Sequence, residues 1–292
     1  MTIRIACLLD PSLNSALAVW VDALGFELTH DLGKADRLVL DYAHLTQMTE
    51  TTAIAPRHWL LLDSQLNVAQ TITVLQQGCG YIATAPLERK VLENWLAGAQ
   101  PLVDIRAIES QELPTPPEDF LIGPFVDLIC DHLWTQEEQE QAKQVLIWRN
   151  IALQLPAFKQ LQESTKLSPL QQAQLACHTL AGAQILSTTD KRAAQVALQH
   201  HEHHDGSGYP LQLQGNSIDP IARLAKLYDS YIGLRRQKTY AKAQTHEVSI
   251  EKLLWGDGYL WPGQFDPQLL TSLEANADEL AYLFNQHRHH AN

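Results

Sequence analysis

Eleven consecutive residues constrain this chain more than any others: His200-His201-Glu202-His203-His204-Asp205-Gly206-Ser207-Gly208-Tyr209-Pro210. Four histidines and two carboxylates fall within six positions, and a Gly-Ser-Gly-Tyr-Pro run follows at once. Neutral imidazole and carboxylate are the usual ligands of zinc, iron and manganese. Gly and Pro directly behind them fix the backbone sharply, as a site of defined geometry requires. An arbitrary His-rich segment reads as a solvated loop. Here ligand-type residues run straight into turn-forming residues, which points to a metal site.

The rest of the composition bounds what such a site could serve. A length of 292 residues allows two domains, and 45% hydrophobic residues with a mean hydropathy of −0.18 allow ordinary folded cores. No apolar run approaches the roughly 18 residues that span a bilayer. The start, Met1 to Asp10, reads as a strand rather than a charged leader, so the expectation is a cytoplasmic protein without a membrane partner. A net charge of −12 repels polyanions and excludes DNA or RNA as a partner. Cys7, Cys79, Cys130 and Cys177 lie far apart, which predicts reduced thiols, with neither a CxxC metal knuckle nor a disulfide framework.

In the first hundred residues short apolar runs alternate with helical patterns. Ile3–Leu9, Leu38–Asp41, Trp59–Asp63 and Tyr81–Thr84 read as strands; Ser15–Leu24, Asn67–Gln77 and Leu87–Leu96 read as helices. Such alternation predicts a parallel sheet covered on both faces. The pattern resembles the response-regulator receiver domain, an α/β fold of flavodoxin-like topology. That resemblance makes Asp41 the candidate phosphoacceptor. It also implies Mg²⁺-holding acids after the first strand, where only Asp10 stands, and a hydroxyl residue at the end of the strand Trp59–Asp63, where Ser64 supplies one and Asp63 is the other position that could match. The family's lysine before proline is replaced, since the pair here is Ala85-Pro86. Without that lysine part of the phosphoryl charge goes unmatched. The domain is therefore expected to act as a docking or dimerisation platform, with phosphorylation at Asp41 as an alternative.

Residues 101–117 carry Pro101, Pro114, Pro116 and Pro117 and read as a linker between a first domain, 1–100, and a second, 118–292. Beyond Phe120 the pattern is helical throughout. Thr135 with Glu138 forms a capping-box signature, and its helix is expected to run through Trp148. Ser168-Pro169 opens a helix expected to carry His178; Lys191–Gln199 leads into the histidines; Ala222–Leu234 bears Asp229; Pro267–His287 closes the chain. Ligands drawn from several helices are the arrangement of metal sites in helical bundles.

This all-α half resembles the HD-GYP family, metal-dependent phosphodiesterases of cyclic-di-GMP. The family's HHExxDGxGYP motif has every fixed position present at His200 to Pro210. His178 to Leu186 is similar to the HPxxGAxIL segment, with Thr179 for its proline; Ala222 to Asp229 is similar to ARILAVAD; Phe265-Asp266-Pro267 matches the FDP turn. The resemblance implies His178, His200, His201 and Asp229 as metal ligands. His203 and His204 lie outside the fixed motif and read as solvated.

One segment departs from the family. The HDxGK stretch falls by register on Arg149-Asn150-Ile151-Ala152-Leu153, so its histidine, its bridging aspartate and its lysine are all replaced. Glu112, Glu118 and Asp119 are the upstream acids that could compensate. A hydroxide held between two ions about 3.5–4 Å apart needs a bridging carboxylate, and Asn150 is neutral. Arg149 puts a fixed cation where a metal would bind. The expectation is at most one divalent ion (iron, manganese or zinc), the alternative being a metal-free site closed by an Arg149–Asp229 pair.

The reading that follows is a cyclic-di-GMP signalling protein that binds or scaffolds without efficient hydrolysis. Gly208, Tyr209 and Pro210 would form an interaction surface, for which the resemblance implies a diguanylate cyclase as partner, and a homodimer is a further expectation. The alternative is an active phosphodiesterase, releasing pGpG or GMP, with one metal or a rewired pair.

Overall fold

The computed structural model of the protein describes residues 3–9, 17–18, 21–47, 59–62, 70, 73–74, 77, 79, 81–83, 89–96, 113–164, 167, 169–237 and 242–287. The chain divides into two compact units, Met1–Ala107 with Ser168–Gln174 and Ile108–Leu167 with Leu175–Asn292.

The first unit is built on five parallel strands: β1 (Arg4–Leu8), β2 (Glu27–Thr29), β3 (Arg37–Leu40), β4 (Trp59–Leu62) and β5 (Tyr81–Ala83). Their order is 2-1-3-4-5, with Ile5 of β1 between Leu28 and Arg37, and Val39 of β3 opposite Leu60 of β4. That order is one of the two common in doubly wound sheets. Apolar runs without alternation are what a sheet buried on both faces needs, and Leu38, Val39, Leu40, Leu60 and Leu61 are fully buried. The short strand β2, exposed on this sheet's edge, has no apolar run to mark it in the sequence. Helix α1 (Tyr42–Gln47) follows β3, and α2 (Arg89–Leu96) packs Leu92 and Trp95 against Ile5, Leu17 and Leu62. The expected receiver positions Asp10, Asp63, Ser64, Ala85 and Pro86 lie outside the described residues.

The second unit is helical. Helix α3 (Ile122–Cys130) is followed by α4 (Gln136–Leu146), where Thr135 and Glu138 make the reciprocal cap: Thr135 N donates to Glu138 Oε2 at 2.7 Å and Glu138 N to Thr135 Oγ1 at 3.3 Å. This helix stops at Leu146, short of Trp148, and tight turns carry the chain through Arg149 to Gln154. Next comes α5 (Pro156–Gln162), and then α6 (Pro169–Ala176), whose residues up to Gln174 belong to the first unit. A break at Cys177 starts α7 (His178–Leu186), so His178 opens a new helix and is not carried on the one that begins at Pro169. Helices α8 (Lys191–Gln199), capped by Asp190, and α9 (Pro220–Arg235), capped by Asp219, flank the His-rich loop. Helix α10 (His246–Trp255) precedes a break at Asn276 that splits the last stretch into α11 (Pro267–Ala275) and α12 (Ala277–His287). Phe125, Ala197, Leu224, Tyr228, Tyr231 and Leu273 belong to one continuous core. None of the four cysteines is in a disulfide, and burial pushes the thiols of Cys7, Cys130 and Cys177 up to about 12. Among the described residues no helix is long and apolar enough to cross a membrane.

Candidate metal centre

Two helix boundaries bring the candidate ligands together. His178 is the first residue of α7, His200 ends α8, and His201 is the next residue in the chain. Nitrogen atoms of these three rings all lie within 4.8 Å of one another. His178 Nδ1 donates to the Leu175 carbonyl at 2.7 Å, and His200 Nδ1 to the Ala197 carbonyl at 2.9 Å. A carbonyl only accepts, so both rings carry their proton on Nδ1 and present a bare Nε2 to the cluster. Those two Nε2 atoms stand 3.1 Å apart, and Asn150 Oδ1 is 3.2 Å from the His200 one. Burial drives His178 down to about 4 and His200 to about 3, and it lowers His201 as well. Lone pairs therefore converge on this point without a proton between them.

The loop that holds His201 is fastened by its own motif residues. Buried Glu202 accepts from Leu211 N at 2.6 Å and from Leu213 N at 3.0 Å, tying the far side of the loop to the near side. Asp205 Oδ1 accepts from the Ser207 amide and hydroxyl, while Oδ2 accepts from Trp261 Nε1 at 2.7 Å. A Cβ on Gly208 would lie 2.2 Å from the His203 nitrogen, so only glycine fits. Tyr209 stacks on the His201 ring, with centroids 4.9 Å apart and planes at 13°, and its amide donates to the His201 carbonyl. Gly208 and Pro210 are buried and Tyr209 is half-buried. The turn therefore supports His201 from within, and Leu211 beside it is exposed. His203 and His204 are half-buried and outside the three-histidine cluster.

Asp229, on α9, faces Arg149. Arg149 Nε donates to Asp229 Oδ1 at 2.8 Å, and Asn150 Nδ2 donates to Oδ2 at 3.3 Å. The guanidinium also donates to the Leu146 carbonyl at 2.9 Å, reaches Asp119 at 3.4 Å and lies 4.8 Å above the Tyr228 ring. Burial pushes the Asp229 carboxyl up, but the Arg149 charge outweighs it with help from His200, and the group stays below the usual carboxylate range. Of the upstream acids, Asp119 joins the site: it accepts from the Tyr228 hydroxyl at 2.6 Å as well as from Arg149. Glu118 is exposed, and Glu112 lies outside the described residues.

This geometry agrees with what the chain is similar to. Residues 120–261 match the family described as the HD domain. They are an HD domain. A probable cyclic di-GMP phosphodiesterase of Vibrio cholerae is 33% identical over 132 residues, covering 41% of this chain and 29% of that protein. A 3'3'-cGAMP-specific phosphodiesterase of the same organism is 32% identical over 123 residues, covering 41% and 23%. A cyclic di-GMP phosphodiesterase response regulator of Xanthomonas campestris is 33% identical over 113 residues, covering 37% and 29%. The matches thus span less than a third of each relative's length.

The HD domain's donor set suits one cation. Three neutral imidazoles, two with their free nitrogens forced toward each other, form a set that suits zinc or iron and leaves a position open. Among the described residues this is the one cluster of three such ligands. The Asp229 carboxylate is bonded to Arg149, and the neighbouring neutral amide of Asn150 donates to Asp229 while its oxygen faces the bare His200 Nε2.

In the sheet unit, Asp41 sits just after β3 and is mostly buried. Its Oδ1 accepts from the His44 amide at 2.9 Å and lies 2.7 Å from His44 Nδ1.

Proposed function

We propose that the HD domain of this chain binds a cyclic dinucleotide, cyclic-di-GMP first among them, and does not hydrolyse it efficiently. Support for the ligand comes from the named activities of the relatives and from the intact histidine and Gly-Tyr-Pro elements. Support for impaired turnover comes from one observation, the Arg149–Asp229 pair, which leaves no place for a second ion. His178, His200 and His201 would hold a single divalent ion, which supplies charge to a phosphodiester oxygen and acidifies bound water. Without a second ion opposite it, both the attacking and the leaving oxygen lose part of their stabilisation.

The sheet unit is read as receiver-like from its 2-1-3-4-5 order and from Asp41 at the end of the third strand. Because that carboxylate caps α1 and contacts His44, it serves a structural role, and the unit acts as a docking or dimerisation platform, while a diguanylate cyclase would meet the Gly208-Tyr209-Pro210 turn of the helical half. A domain boundary within 101–117 belongs to the same proposal.

Two measurements on the purified full chain test this reading: metal content by inorganic mass spectrometry and calorimetric titration with cyclic-di-GMP, alongside a hydrolysis assay with added Mn²⁺ or Fe²⁺. One metal or none per chain, micromolar-range or tighter binding and no pGpG are expected. Two metals per chain with turnover would overturn it.

A further inference from the structure

Lys226 stands on α9 three residues before Asp229, so the two side chains share a face of that helix. Neighbours on either side, Ala225 and Leu227, are buried in the core. The Lys226 ammonium lies 5.7 Å from the centre of the Phe265 ring and, among the described residues, makes no hydrogen bond and no ion pair. Asp229 and Asp205 act on it only at longer range, and burial pulls it down to about 8, so it still carries its charge at neutral pH. Other cations of this region are spent. Arg149 is bonded to Asp229 and near Asp119, Arg223 is bonded to Asp266, and Arg236 is paired with Asp119.

Lys226 is half-buried and its ammonium stays within reach of solvent, so its three donors are available to a ligand. A lysine on a solvated surface would turn outward to water. This one sits against the Phe265 ring on the face of α9 that carries Asp229, and its charge lowers the proton affinity of both His201 and His203. Point-charge ammonium groups held in this way suit a phosphate oxygen.

We infer that Lys226 is a binding residue for a phosphate oxygen of the phosphodiester ligand that occupies the three-histidine site. The inference rests on the cyclic-dinucleotide reading for the identity of the ligand, but not for the anion contact itself. Lys226 would then fix which phosphate faces the histidines, supplying from α9 the positive charge that Leu153 cannot supply from its turn.

The experiment compares the full-length protein with Lys226→Met and Lys226→Arg by calorimetric titration of cyclic-di-GMP and by ³¹P NMR titration of inorganic phosphate. Melting temperature and metal content are read in parallel. Losing a charge-assisted hydrogen bond predicts cyclic-di-GMP affinity about 10- to 100-fold weaker in Lys226→Met. The melting temperature should not fall, metal content should not change, and Lys226→Arg should recover most of the affinity. Equal affinity in wild type and Lys226→Met overturns the inference and leaves the cyclic-dinucleotide reading standing. Phosphate binding that depends on Lys226, with no cyclic-di-GMP binding, sustains the contact and overturns that reading. Binding of neither probe by the wild type overturns both.

Discussion

Arg149→Met isolates the electrostatic role of the guanidinium, because methionine keeps an unbranched apolar stem against Tyr228 while removing the charge. Arg149 is 6% exposed and compensates Asp229 directly at 2.8 Å and Asp119 at 3.4 Å. Removing one partner of a buried pair costs about 3–5 kcal/mol, because the other charge is left uncompensated. For a unit of this size each kcal/mol moves the melting temperature by roughly 2–4 °C, which gives a drop of roughly 6–20 °C. The same change frees Asp229 to face a cation. Divalent metal should therefore restore stability in the variant more than in the wild type; at a hundredfold excess over Kd the gain is about 2.7 kcal/mol. Scanning calorimetry with chelator and then with Zn²⁺ or Mn²⁺ measures both effects. Adding Asp229→Asn to the variant should recover part of the loss, since no carboxylate is then stranded. A chelated Arg149→Met protein melting within about 1 kcal/mol of wild type, with the same response to metal, would refute this account of the site.

Arg149→His combined with Asn150→Asp should raise metal content from one ion per chain toward two and bring measurable pGpG release; unchanged metal content by mass spectrometry would show that further residues block the second ion. Gly208→Ala should cost more than about 2 kcal/mol and weaken metal binding, because its Cβ would meet backbone at 2.2 Å; a wild-type melting curve would show that the loop simply yields. Glu202→Gln should cost about 1.5–3 kcal/mol through the Leu211 and Leu213 amides, read as faster hydrogen exchange at those two positions. His246, which lies 3.0 Å from the Tyr231 hydroxyl, has its proton affinity lowered by burial and the Arg235 charge, against the opposing pull of Glu247 and Asp278. The unfolded chain therefore binds a proton there near pH 6.5 that the folded chain refuses, so stability falls as pH drops below that value, and His246→Gln should flatten the acid side of the melting profile by less than about 1 kcal/mol.

His200 and His201 could be read in the sequence because local signals mark the helix and turn that hold them, whereas His178 was legible only through its resemblance to the HPxxGAxIL segment. An Asp190 cap starts α8, and the Gly and Pro residues behind His201 fix its turn. The buried strands were equally visible as apolar runs, whereas β2 was not, being three residues long on the sheet edge. What stayed hidden depends on long-range pairing. Asp119 meets Tyr228 across 109 residues, and Lys226 shows its lack of partners only once its surroundings are folded. The break at Cys177 was also missed, since neither glycine nor proline marks it. These hidden contacts change the meaning of the departure at Arg149. Had the histidine and aspartate simply been lost, Asp229 would be a buried carboxylate without compensation, and the helix carrying it would be destabilised. Instead the guanidinium bonds Asp229, approaches Asp119 and satisfies the Leu146 carbonyl, three interactions from one side chain. A fixed cation thus compensates Asp229 of α9 and reaches Asp119 from the turn that follows α4.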